Sequence, residues 1–118
     1  MKKLLLTGIA VLLLATGAAH AIDVNTSAVI WYRPCKSNLD KSLAYTPMDK
    51  VDAIWCEDFV KTQARIMGAI KVICPPEGTT SDQFIRVVVN AMDKDLDALH
   101  MPFGELVDKA LKKAWPCK

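Results

Sequence analysis

The residues in this sequence best suited to chemistry are four cysteines, Cys35, Cys56, Cys74 and Cys117, which follow one another at separations of 21, 18 and 43 residues. Zinc sites are typically built from close pairs such as C-x2-C, and dithiol redox enzymes use C-x-x-C. Neither spacing is present here. The sequence therefore predicts structural disulfides, with no metal site and no cofactor.

The candidates for catalysis are few. Beyond the N-terminal leader, His100 is the only histidine, and its place beside Pro102 favours a turn or packing role. The alternating carboxylates Asp93, Asp95 and Asp97 are similar to a calcium loop, but the glycine and the twelfth-position glutamate of such a loop are missing. A solvated acidic helix end is the stronger interpretation. No catalytic residues are predicted, although sequence alone leaves open a triad assembled in space.

The N-terminus has the pattern of a secretory signal peptide. Lys2 and Lys3 precede an apolar run over residues 4–19, and Ala19-His20-Ala21 matches an A-x-A cleavage site. A membrane anchor is the competing interpretation, but the run is short for a span and is interrupted by threonine and glycine. We expect cleavage after Ala21, which leaves residues 22–118 as one domain, with no further stretch able to span a bilayer.

Cleavage changes the charge balance. The whole chain has 15 basic and 13 acidic residues, and the leader carries two of the lysines, so the mature chain is expected to be neutral. Binding to nucleic acid therefore has no electrostatic support. All four cysteines lie in the mature part, and an even number in an exported chain favours two disulfides and a periplasmic location.

The elements that position these residues are predicted to be about four helices, which gives a small, disulfide-stapled, all-α domain. Thr46-Pro47-Met48-Asp49 and Thr80-Ser81-Asp82-Gln83 are capping signals for two of the helices. The predicted elements are a short helix ending at or before Pro34, a surface loop over Lys36–Tyr45, a long helix over Pro47–Val72, a third helix from Thr80, and a last helix from Pro102 to Trp115-Pro116.

Apolar residues at helical spacing predict the buried face of each helix. The predicted stripe of the long helix is Val51, Trp55, Phe59, Thr62, Ile66, Ile70 and Ile73. The predicted stripe of the third helix is Phe84, Val87, Val88, Ala91 and Met92. That of the last helix is Phe103, Leu106, Val107, Ala110, Leu111 and Ala114.

Helix geometry restricts the cysteine pairing. Cys56 and Cys74 bracket most of the long helix, about 27 Å apart at 1.5 Å per residue, whereas a disulfide needs Cα atoms within about 7 Å. That pairing is excluded unless the helix is broken, which leaves two connectivities. If the last two helices form an antiparallel hairpin, Cys74 lies beside Cys117. We predict that pair and, by elimination, Cys35 with Cys56.

The segments "WCEDFV", "ICPPEGTT", "SDQFIRVVV" and "LHMPFGELVDKALKKAWPC" occur in an order that resembles the Rap/Tai family of exported bacterial immunity proteins. The resemblance covers about Cys56–Cys117. It implies a small helical periplasmic domain, often dimeric, that neutralises a type VI secretion amidase effector and has no enzymatic activity. Its structural positions correspond here to Cys56, Cys74, Cys117 and Gly78, with Pro102, Leu106, Ala110 and Pro116 in the last helix.

The leading hypothesis is thus a rigid binding module that blocks the cleft of its cognate amidase effector, with a homodimer as a further candidate assembly. The expected contact surface is the acidic segment from Asp93 to Met101, and Lys36–Tyr45 is the second choice. The predicted partner-binding residues are Asp93, Asp95, Asp97, His100 and Met101. "WCEDF" also resembles HdeA-type periplasmic acid-stress chaperones. A small hydrolase and a helical periplasmic binding domain of another purpose are two further hypotheses.

Overall fold

The computed structural model describes Asp23 and residues 25–118, and the predicted signal peptide over residues 1–21 lies outside them. In the described part, four α-helices and two short 3-10 helices follow one another with no strand, which confirms the predicted all-α class. The α-helices are α1 (Ala28–Leu39), α2 (Pro47–Ala69), α3 (Ser81–Lys94) and α4 (Phe103–Ala114), and the 3-10 helices are Lys41–Leu43 and Leu96–His100.

Helix α1 runs through Pro34, so the predicted end at or before that residue is wrong. An interior proline removes a backbone hydrogen bond and costs about 3 kcal/mol in a helix. Tertiary contacts of the next turn offset this: Cys35 is bonded to Cys56, and the buried Asn38 side chain donates to the Ala53 carbonyl at 3.1 Å. The predicted loop over Lys36–Tyr45 is therefore wrong in part, because its first residues are helical and partly buried.

Helix α2 begins as its sequence predicts. The Thr46 hydroxyl accepts from the Asp49 amide, and the Asp49 carboxylate accepts from the Thr46 amide, which completes a capping box. The helix ends at Ala69, slightly before its predicted end. There Lys71 adopts a left-handed backbone with φ of 62°, and the two following amides donate to the Met67 carbonyl.

The predicted buried stripe of α2 is mostly wrong. The residues that face the core lie elsewhere on the helix and, except for Met67, are smaller: Ala53, Cys56, Val60, Ala64 and Met67. Of the predicted stripe, Phe59 and Ile73 pack in or against the core, whereas Val51, Trp55, Thr62, Ile66 and Ile70 are exposed. Because most side chains on this face of α2 are small, α1 can lie close to it. The Cys35–Cys56 disulfide also requires this face of α2 to lie against α1.

Helices α3 and α4 form the predicted hairpin. A second capping box joins Thr80 and Gln83 at the start of α3. The two ends of the hairpin are joined by the Cys74–Cys117 disulfide, with a Cα separation of 4.9 Å, and by a hydrogen bond from the Cys74 amide to the Trp115 carbonyl at 2.9 Å. With Cys35–Cys56 at 5.3 Å, both predicted disulfides are confirmed.

The buried stripe of α4 supplies the centre of the core. Phe103 is fully buried, and its ring centroid lies 5.6 Å from that of Trp31 on α1 and 5.3 Å from that of Phe59 on α2. Phe84 and Trp115 form an edge-on pair at 5.2 Å across the hairpin. Aromatic pairs at these distances add to the burial energy, so Trp31 and Trp115 contribute to packing, whereas Trp55 is exposed. Ala114, at the end of the predicted stripe, is exposed.

Candidate functional site

The acidic turn, residues Asp93–Met101, joins α3 to α4 and is held to the fold from its inner side. The buried Leu99 is part of the core, and its carbonyl accepts a hydrogen bond from the Ser27 hydroxyl at 2.7 Å. The Met101 carbonyl accepts from the Ala28 amide at 2.9 Å. Because the start of α1 holds the turn at two successive points, its backbone is fixed before any partner binds.

The outer side of the turn carries exposed side chains. Asp95, Leu96, Asp97 and His100 are all exposed, and Leu96 is 69% exposed. The Asp95 carboxylate accepts from the Asp97 amide at 3.1 Å and so caps the 3-10 helix. The turn therefore presents carboxylates, an imidazole and an apolar side chain from one short, rigid segment.

Asp93 is used differently from the other predicted partner-binding residues. Its carboxylate accepts hydrogen bonds from the Tyr32 hydroxyl and from the Lys36 ammonium at 3.1 Å, which ties the end of α3 to α1. The Tyr32 hydrogen bond, followed by those of Lys36, holds the pKa of Asp93 below its usual value. Its charge is already paired within the protein. The structure thus leaves Asp95, Asp97 and His100 exposed, and it places Asp93 in a structural pair.

An apolar groove of about 480 Å³ lies between α3 and α4 and reaches the acidic turn. Met101, which is only partly exposed, and Ala98 line its end at the turn. Three lysines line it as well, Lys94, Lys109 and Lys113. Predicted residue Met101 therefore belongs to the groove and not to the outer side of the turn.

The second predicted surface, Lys36–Tyr45, is a more ordered segment than a loop. Arg33 organises its end: the guanidinium donates to the Leu43 carbonyl at 3.3 Å, lies 5.1 Å from the Tyr45 ring centroid and pairs with Asp49 at 3.6 Å. Tyr45 itself is 73% exposed. This surface is an aromatic and cationic patch, distinct in character from the acidic turn.

The prediction that there is no metal site applies to the carboxylates of the acidic turn. Among the described residues, no three His, Cys, Asp or Glu side chains are grouped so that they could hold a metal ion. The two disulfides use all four cysteines. In the same part of the chain, no helix is long and apolar enough to cross a membrane.

Sequence reasoning missed two exposed apolar features. Leu96 lies between Asp95 and Asp97 and is not among the predicted residues, although an apolar residue between two acids in a predicted turn is a signal of an exposed contact. The spacing of the apolar residues of α2 predicts a buried stripe, but most of that stripe is exposed. Only the packing of the smaller residues, such as Ala53 and Ala64, shows which face is covered.

Comparison with known proteins gives one positive result. The family model for Rap1a immunity proteins matches residues 27–117, a range that includes all four helices, both disulfides and the acidic turn. The searches of curated proteins and of solved structures give no match. Because the family model covers most of the sequence, the chain belongs to the Rap1a immunity protein family, which points to immunity against a secreted effector protein.

Proposed function

We propose that this protein is exported to the periplasm and neutralises a type VI secretion effector that acts as a peptidoglycan amidase. It acts as a binding protein without catalysis of its own, and it closes the catalytic cleft of the effector. The observation that carries the proposal is the acidic turn, a rigid segment whose outer side chains remain available to a partner.

The rigidity of the turn supports its role in binding. A flexible loop loses conformational freedom when it binds, whereas a segment already fixed in its bound shape does not. Here the start of α1 and the buried Leu99 fix the backbone of the turn. Asp95, Asp97 and His100 supply polar contacts, and Leu96 supplies an apolar contact that the effector can bury.

The neighbouring surfaces extend this contact region. The groove lined by Met101 is open to an apolar side chain of the effector, and its lysines suit an acidic rim. Asp93 supports the turn through Tyr32 and Lys36, and Lys36–Tyr45 is a secondary contact surface. A second copy of the chain is a further proposed partner.

Export is supported by two independent features of the chain. Residues 1–21 have the signal-peptide pattern, and two disulfides persist in oxidising compartments such as the periplasm. The mature chain is then neutral, and neither nucleic acid nor membrane is a proposed partner.

The test uses purified amidase effectors encoded beside this gene and measures their hydrolysis of purified peptidoglycan. The wild-type protein should inhibit the cognate amidase. A double variant, Leu96→Ser with Asp97→Lys, should weaken inhibition by at least about 10-fold, because it removes an apolar contact and reverses a charge at the centre of the proposed interface.

The matched control is Asp82→Lys, which makes the same charge change at an exposed acid in the first turn of α3, at the other end of that helix. This variant should inhibit as the wild type does. Unchanged inhibition by the acidic-turn variant would reject the turn as the contact surface. Failure of the wild type to inhibit every neighbouring amidase would reject the proposed target.

A further inference from the structure

The groove between α3 and α4 has a floor of apolar side chains that the core holds in place. Each of them belongs to the core or packs against it, and each also lines the groove. They are Val87, Ala91, Ala98, Met101, Leu106 and Ala110. The volume of the groove, about 480 Å³, lies within the usual range for small-molecule sites. The groove is thus large enough for one small, mainly apolar molecule.

The lining of the groove offers few partners for hydrogen bonds. Apart from the lysines, its only polar side chains among the described residues are Asn90 and Asp95. A peptide backbone laid along the floor would bury N–H and C=O groups against alanine and valine, and such groups are costly when they are left unpaired. A hydrocarbon chain has no such groups. The floor therefore suits a hydrocarbon chain better than a peptide backbone.

The charges along the groove differ between its two ends. Lys109 and Lys113 both line it and lie one turn apart on the same flank of α4. Glu105, one turn before Lys109, pairs with it at 3.2 Å, whereas Lys113 forms no ion pair within the described residues. At the end beside the acidic turn, the positive charge of Lys94 is offset by the adjacent carboxylate of Asp95. A negatively charged group is therefore attracted to the end of the groove at Lys113.

We propose that this groove binds a medium-chain fatty acid. Its carboxylate lies between Lys109 and Lys113, where the ammonium groups donate charge-assisted hydrogen bonds, and its hydrocarbon chain extends along the floor toward Met101. From Lys113 back to Leu106 the groove follows α4 for about 10 Å, and it continues beyond Leu106 to Met101. Each methylene that is fully buried there should tighten binding by about fourfold.

This site goes beyond the proposed function and does not depend on the identity of the effector. Met101 lines the end of the groove that receives the hydrocarbon chain, and the same end is open to an apolar side chain of the effector. The two occupants would therefore compete for it. Fatty-acid binding is measured without any effector, so its failure and the failure of the proposed inhibition are separate results.

The experiment is isothermal titration calorimetry of the full-length gene product, purified oxidised from the periplasm. The ligand is sodium dodecanoate, kept below the concentration at which it forms micelles. Dodecanoate should bind in a saturable manner, one molecule to each chain, with a Kd of about 10 μM or tighter. Octanoate should bind at least about 10-fold more weakly, because its shorter chain buries fewer methylenes.

The charge of the head group is tested with a second ligand. Dodecylammonium has the same hydrocarbon chain as dodecanoate and the opposite charge. It should bind at least about 10-fold more weakly, because the lysines repel it. Equal binding of the two ligands would reject the role of the lysines and leave an apolar groove without recognition of a carboxylate.

Two variants test the position of the site. Lys109→Gln combined with Lys113→Gln should weaken dodecanoate binding by at least about 10-fold and should remove the preference for dodecanoate over dodecylammonium. The matched control is Lys112→Gln combined with Lys118→Gln, which removes two exposed lysines outside the lining and should bind as the wild type does. Ala91→Phe places a ring in the groove and should abolish binding. Near-ultraviolet circular dichroism shows whether each variant keeps the wild-type fold.

Other outcomes overturn the site itself. Wild-type protein that shows no saturable binding of dodecanoate would reject it, and unchanged binding by the variant without Lys109 and Lys113 would place it elsewhere. That variant changes only exposed side chains, so it decides the question even if Ala91→Phe disturbs the hairpin. Binding to phosphatidylglycerol vesicles without binding of dodecanoate monomers would assign the groove to a membrane surface instead.

Discussion

Helix α2 and the α3–α4 hairpin both carry apolar residues at helical spacing, but they bury them differently. In α4 the predicted stripe, which includes Phe103, Leu106 and Leu111, is the face that is buried. In α2 most of the larger apolar side chains are exposed, and mainly smaller ones, with Met67, meet the core. Helical spacing therefore identifies an apolar face, but it does not identify what covers that face.

The reason for the difference lies in how closely the helices approach. Helix α2 packs along α1, to which the fully buried Cys35–Cys56 disulfide joins it, and Ala53 and Ala64 allow the backbones to come near each other. Helix α4 instead places the large ring of Phe103 against Trp31 of α1 and Phe59 of α2. A helix held close to its neighbour buries its small residues and has to place its large ones elsewhere.

The largest expected effect compares two truncations of similar size. Leu111→Ala removes a fully buried side chain and should lower the free energy of unfolding by about 2 to 5 kcal/mol. Ile66→Ala removes a half-exposed one and should change it by about 0.5 kcal/mol or less. Urea denaturation measures the free energy of unfolding of both variants.

Equal losses in free energy of unfolding for Leu111→Ala and Ile66→Ala would contradict the difference proposed between α2 and the hairpin. That result would mean that Ile66 is covered within the monomer. A loss of at least about 2 kcal/mol for Leu111→Ala with almost none for Ile66→Ala would instead sharpen the contrast.

A smaller effect is expected where the two regions are alike. Thr46 and Thr80 cap α2 and α3 with the same capping box, their hydroxyls accepting from the third helical amide at 3.1 and 3.3 Å. Thr46→Ala and Thr80→Ala should each lower the free energy of unfolding by about 1 kcal/mol. Thr62→Ala, in the exposed middle of α2, is the control and should change it by about 0.5 kcal/mol or less.

Thermal and urea unfolding of the three variants provide the measurement. If the losses in free energy of unfolding for Thr46→Ala and Thr80→Ala differ by more than about 1 kcal/mol, the two capping boxes are not equivalent. One helix then depends on its cap more than the other. Similar losses would locate the contrast between α2 and the hairpin in tertiary packing alone.

The features that sequence predicted correctly are those with local causes. The two capping boxes, the hairpin and the disulfide pairing follow from short motifs, helix rise and the reach of a cysteine pair. The passage of α1 through Pro34 and the buried face of α2 depend on contacts between distant residues, such as Asn38 with Ala53. Those contacts override the local preference against an interior proline.

The features of the candidate site also divide into those with local causes and those that depend on distant residues. The order of residues predicted an acidic segment between two helices, and that segment is where the chain turns. Three other features of the segment could not be predicted, because each depends on residues far apart in sequence. They are the hydrogen bond from Ser27, the burial of Leu99 and the ion pair of Asp93 with Lys36. The place of the apolar Leu96 between two acids is visible in the sequence, whereas its exposure depends on the fold.

The smallest expected effect concerns the Asp93 pair, which joins the hairpin to α1. The folded protein lowers the pKa of Asp93, so the pair stabilises it above the ordinary carboxyl pKa of about 4 and loses this effect as the pH falls through the lower folded value. The pair is largely exposed, with side chains 41% and 39% accessible, so screening by water keeps its contribution small. Asp93→Asn should lower Tm by about 1 to 3 °C at pH 7 and by less at pH 2.

Circular dichroism melting at both pH values checks this prediction, with Asp82→Asn as a control that removes an acid of the same helix outside this pair. Near-ultraviolet signal retained at pH 2 in the wild type would show that the core and both disulfides hold the fold when its carboxylates are protonated. That result disfavours an acid-activated chaperone, which has to loosen in acid to hold clients. A cooperative loss of the signal between pH 4 and pH 2 would mean that the carboxylate contacts, chiefly that of Asp93 across α1 and α3, stabilise the fold far more than their exposure allows.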